Sequence, residues 1–95
     1  MPKLSEYEIV GRMPAAKGWE RLGDMLVRSW QFPSSHRALE FVKDVVERAE
    51  RVGHHPEIVL SYRTVRVALS THSEGGVTEN DFALAAEIEE IRTER

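Results

Sequence analysis

Four histidines stand in this 95-residue chain, and three of them could share one locus. His54 and His55 are adjacent, bracketed by Gly53 and Pro56, with a carboxylate at Glu50; His72 follows at the end of a strand-like run. Imidazole has the unperturbed pKa nearest neutrality, so it both gives and takes protons at physiological pH. Such a cluster offers general acid–base chemistry. A metal centre is the competing chemistry, because three histidines can serve zinc. The pattern fits it poorly: no His-x-His or His-x3-His pair is present, and adjacent residues at a helix end diverge. His36, near a helix start, reads as an ordinary polar residue.

The elements that must position these side chains follow from periodicity. Ala38, Leu39, Val42, Val45, Val46, Ala49 and Val52 form a helical stripe, which predicts a long helix over Ser35 to Val52. Gly53 is a natural stop, and Pro56 reinforces it by pushing the residue before it toward extended conformations. Pro56 therefore sets where the histidines point. Glu50 and His54 are four apart, so the carboxylate is expected to reach that imidazole and orient it.

Ser5-Glu-Tyr-Glu8 matches a capping box and predicts a short helix carrying Ile9, Val10 and Met13. Pro14 to Gly18 is a connector. Residues 19 to 22 and 24 to 32 read as strands joined at Gly23-Asp24. Leu26, Trp30 and Phe32 share one face of the second, interrupted by Arg28, which marks either an edge or a polar pocket. Ile58, Leu60 and Tyr62 alternate in a third strand, and Val65, Val67 and Leu69 in a fourth that runs on to Thr71 and His72. Thr78-Glu-Asn-Asp81 opens a last helix bearing Leu84, Ile88 and Ile91. The order α-β-β-α-β-β-α predicts an α+β domain over 1–95, a four-stranded antiparallel sheet with helices packed on one face. The other face then requires a polar coat or a partner subunit.

Composition narrows the function. A net charge of −3, with no basic stripe, argues against gripping nucleic acid by its phosphates. The absence of cysteine removes thiolate chemistry and fits a cytoplasmic location. No apolar run approaches the roughly 20 residues of a membrane span, and MPKLSEYEIV lacks a signal-peptide core.

The run Glu50-x3-His54-His55-Pro56-x5-Tyr62-x9-His72-x8-Asp81 resembles the signature of the pterin-4a-carbinolamine dehydratases. Gly18-Trp19, Trp30-Gln31-Phe32, Leu69-Ser70-Thr71-His72 and Gly75-Gly76 extend the resemblance over nearly the whole chain. Ile58 and Ser61 depart from it, where relatives often carry an aromatic residue and Asn. The resemblance implies a lyase that removes water from 4a-hydroxytetrahydropterin to give quinonoid dihydropterin, in tetrahydrobiopterin recycling for aromatic amino acid hydroxylation. It implies no cofactor and no metal. It assigns His54, His55 and His72 to the catalytic site, with His54 and His72 favoured as the acid–base pair and His55 orienting substrate. It assigns Glu50, Pro56, Asp81, Trp19 and Thr71 to substrate binding or support. A pterin is the implied ligand and a homodimer or homotetramer the implied assembly. Relatives acting through protein contacts, as coactivator or assembly factor, supply the alternative.

Overall fold

The computed structural model describes residues 2–91. Helix α1 (Glu6–Arg12) leads through a short 3-10 turn into the hairpin β1 (Glu20–Leu22) and β2 (Met25–Gln31). Helix α2 (Ser35–Val52) follows, then the hairpin β3 (Glu57–Ser61) and β4 (Thr64–Leu69), a 3-10 turn at His72–Glu74, and α3 (Glu79–Glu89). All strand pairs are antiparallel, in the order β1-β2-β4-β3. The fold is the expected α+β one.

Local chemistry starts and stops each helix. Ser5 and Glu8 form a reciprocal capping box at α1, Ser34 caps α2 through Arg37 N–H, and Thr78 with Asp81 forms a second capping box at α3. The core joins one face of the sheet to the helices. Leu26, Trp30, Val65, Val67 and Leu69 from the strands pack with Ile9, Ala38, Phe41, Val45, Ala49, Leu84 and Ile88. Trp30 lies 4.7 Å from Phe41 and 5.8 Å from Trp19 between ring centroids, in tilted and edge-on arrangements. Each such pair adds about 0.5–1.5 kcal/mol beyond the area it buries.

Several expectations need correction. The buried stripe of α2 is Ala38, Phe41, Val45 and Ala49, while Leu39, Val46 and Val52 are exposed. Phe41 sets the axis of the face; Leu39 and Val46, displaced by about 100° of helical rotation from their buried neighbours, turn outward. Arg28 is not on an edge strand, since β2 lies between β1 and β4. It shares the core-facing side with Leu26 and Trp30, stacks 5.0 Å over the Trp30 ring, and donates to Glu89 and the Lys17 carbonyl. Its stem packs while its head finds acceptors at the sheet margin. Tyr62 is not a strand residue. It turns the second hairpin with φ of 53° and is largely exposed, with the Arg63 guanidinium over its ring.

Candidate active site

The end of α2 delivers two of the three histidines. Gly53 adopts φ of 69°, a left-handed conformation that β-carbon-bearing residues resist. Gly53 N–H donates to the Glu50 carbonyl and His54 N–H to the Ala49 carbonyl, the paired bonds of a Schellman motif. The chain leaves the helix sharply at His54, and half-buried Pro56 sends it into β3 at Glu57. His54 and His55 therefore point to different partners. His54 Nε2 lies 2.5 Å from Asp81 Oδ1, and His55 Nε2 lies 2.6 Å from Glu50 Oε2. The expected Glu50–His54 pair is thus replaced by Glu50–His55. The cause is Gly53: the helix ends before His54, so position i+4 no longer sits above Glu50.

The two pairs differ in environment. The Asp81 side chain is 0% exposed and that of His54 15%, against 65% and 64% for Glu50 and His55. Asp81 is held on all sides, because its Oδ2 also accepts from Thr78 N–H at 2.8 Å and from the Thr71 hydroxyl at 2.9 Å. The two threonine hydroxyls lie 2.8 Å apart.

His72 is not at a strand end. β4 stops at Leu69, Thr71 bridges to Gly76, and His72 occupies the loop between them as the first residue of the 3-10 turn. The loop is braced from behind. Leu4 N–H donates to the Val77 carbonyl at 2.8 Å, and a Cβ on Gly76 would lie 2.7 Å from the Lys3 side chain. Gly76 is thus a packing position as well as a turn residue.

His55 and His72 line one open cleft of about 510 Å³, together with Glu57, Ser70, Asp24 and Met25. Ser70, Asp24 and Met25 were not among the residues expected at the site. The Gly23-Asp24 turn gave no chemical signal in the sequence, whereas Ser70 stands two residues before His72. Trp19 does not join them. It is buried, donates from Nε1 to Glu89 at 3.0 Å, and lines a separate cleft of about 520 Å³ with Phe82 and Ala85. Thr71 reaches Asp81 and not the cleft lining. His36 is exposed on α2 near Glu40. Among the described residues no group of three or more His, Cys, Asp or Glu side chains is placed to hold a metal ion. No helix among them is long and apolar enough to cross a membrane.

The arrangement can move protons: one imidazole fixed by a buried carboxylate, two more beside an open cleft. A family model described as pterin 4 alpha carbinolamine dehydratase matches residues 2–91. The chain belongs to this family. Relatives named "Putative pterin-4-alpha-carbinolamine dehydratase" include one from Mycobacterium sp. (strain JLS), 45% identical over 96% of this chain and 97% of its own. Another, from Thermomicrobium roseum, is 42% identical over 96% of this chain and 98% of its own. A solved structure described as a transcriptional coactivator/pterin dehydratase from Brucella melitensis superposes with a TM-score of 0.86 at 35% identity, covering 92% of this chain and 95% of that one. A pterin dehydratase-like protein identified as a RuBisCO assembly factor in the alpha-carboxysome superposes with a TM-score of 0.63 at 26% identity, covering 75% and 84%.

Proposed function

We propose that this protein dehydrates 4a-hydroxytetrahydropterin to quinonoid dihydropterin and water by histidine acid–base catalysis. The observation that supports the reading is the joint placement of His55 and His72 on one cleft; His54, whose Nε2 meets buried Asp81, follows directly before His55 but is not among the residues lining that cleft. In the reaction one group protonates the 4a-hydroxyl, which leaves as water as the C4a–O bond breaks. A second group takes the N5 proton as N5 forms its double bond to C4a. His54 and His72 serve as the acid–base pair, and His55, oriented by Glu50, binds the pterin. Each step calls for a group that titrates near neutrality, and positioned acid–base groups typically contribute 10²–10⁴-fold. Physiologically the product returns to tetrahydropterin, as in recycling for aromatic amino acid hydroxylation, in the cytoplasm. The edge of β3, unpaired among the described residues, and the exposed Leu39 and Val46 on α2 support a homo-oligomer.

A dehydratase assay on the purified protein tests this, with His54→Ala and His72→Ala alongside. A fall of about 10²-fold or more in kcat for each variant is expected, with the fold retained. Near-normal rates in both variants would sink the acid–base assignment. The second reading, a role in protein assembly, is favoured by the assembly-factor relative of the same fold. A stable partner complex from an extract, with no dehydratase activity, selects it.

A further inference from the structure

We propose that Thr71 and Thr78 are positioning residues that act through Asp81 to fix His54 as the Nε2–H tautomer, leaving Nδ1 as its working nitrogen. The claim rests on a proton inventory. Asn80 N–H donates to Thr78 Oγ1 at 3.2 Å, so that oxygen already accepts from the backbone. Thr78 N–H donates to Asp81 Oδ2. Thr71 has one hydroxyl proton, and Asp81 Oδ2 accepts it at 2.9 Å. The contact between the two hydroxyls, 2.8 Å, must then take its proton from Thr78. The hydroxyl protons therefore run one way, from Thr78 to Thr71 to Asp81.

This order makes Asp81 an acceptor at every contact. Its Oδ2 receives two hydrogen bonds, and a carboxylate without a proton of its own only accepts. The remaining oxygen, Oδ1, faces His54 Nε2 at 2.5 Å, so the nitrogen carries the proton between them. Among the described residues, Nε2 is the ring nitrogen of His54 that has a protein partner. In the neutral ring the lone pair is then at Nδ1, and the proton gained or lost in turnover is the one at Nδ1. Neither threonine is among the residues lining the cleft. They hold Asp81, and Asp81 holds the ring.

The assignment of the tautomer stands by itself; its catalytic consequence rests on the dehydratase reading above. Long-range proton–nitrogen correlation NMR on histidine-15N-labelled protein reads the tautomer without turnover. The expected wild-type pattern is a protonated Nε2 and an unprotonated Nδ1 on neutral His54. Thr71→Val is expected to give a mixed tautomer and to lower kcat about tenfold with KM little changed; Thr71→Ser is expected to restore both. Thr78→Ser is expected to preserve the pattern. A wild-type His54 protonated at Nδ1, or a Thr71→Val protein with the wild-type pattern, overturns the proposal. The wild-type spectrum decides the tautomer even where a variant fails to fold. If the pattern is present and the wild-type protein dehydrates no pterin, the tautomer is supported and the dehydratase reading falls.

Discussion

His54 Nε2 lies 2.5 Å from Asp81 Oδ1, although 27 positions separate the two residues. The contact joins the segment just past the end of α2 to the first turn of α3. It makes the geometry of a single imidazole depend on how α2 and α3 dock.

Removing Asp81 is expected to harm both stability and turnover. Asp81→Ala leaves Thr71, Thr78 N–H and His54 without their acceptor inside the protein. Loss of a buried, multiply bonded carboxylate costs about 3 kcal/mol. Urea unfolding checks this, as a lower midpoint at unchanged slope. An Asp81→Ala protein as stable as wild type contradicts the burial argument.

Glu50 is expected to behave oppositely. The Glu50–His55 pair is largely exposed, and exposed pairs contribute at most about 1 kcal/mol. Glu50→Gln should leave the unfolding midpoint almost unmoved. Its expected effect is a raised KM with kcat near wild type, because Glu50 orients the histidine assigned to binding. Steady-state kinetics on the variant separates the two parameters.

Gly53→Ala forces a Cβ into a left-handed conformation, at a cost of roughly 1–2 kcal/mol. The strain falls on the residue immediately before His54. Thermal unfolding should register the loss of stability, and kcat should fall further than Glu50→Gln lowers it.

Trp19→Phe is expected to lower stability by about 1 kcal/mol through loss of the hydrogen bond to Glu89. Because Trp19 lines the other cleft, neither kcat nor KM should change. An altered KM would return Trp19 to the pterin site.

Acid should weaken the anchoring of α1. A hydrogen bond from Arg21 holds the Glu6 carboxyl below its ordinary range, and the Ser5 backbone N–H does the same for Glu8. Since both groups are more acidic folded than unfolded, their contribution is complete above the ordinary glutamate range. It is lost as pH falls through the lowered folded values, within the window from about pH 5 downward. A Glu6→Gln, Glu8→Gln protein should lose less stability over that window than wild type. Melting temperatures measured at stepped pH give the comparison.

The chain order of helices and strands was legible because each element carries its own punctuation. Ser5 with Glu8, Gly53 and Thr78 with Asp81 are local signals, and each acts where the spacing placed it. Adjacent His54 and His55 were legible as residues at a helix stop because Gly53 and Pro56 bracket them, whereas His72 joins His55 at the cleft only through the fold. Which carboxylate each of the adjacent pair meets was not legible. Periodicity assumes that the helix continues, and Gly53 breaks that assumption one residue before His54. Likewise the α2 stripe looked wider than the buried face, since hydrophobicity alone does not say which valines turn outward. Trp19 lies in the core and on the other cleft, and an aromatic near a strand start carries no sign of which side of the sheet margin it faces. Asp24 comes to the cleft through tertiary folding and no local pattern marks it, whereas Ser70 stood within the run that leads to His72.

The bracing of the His72 loop by Lys3 and Leu4 has a practical consequence. Lys3 and Leu4 hold the back of the loop that carries His72. Changes at Lys3 or Leu4 are therefore not neutral for the histidine they lie behind. An assay on protein altered at these two residues compares proteins with differently tethered imidazoles.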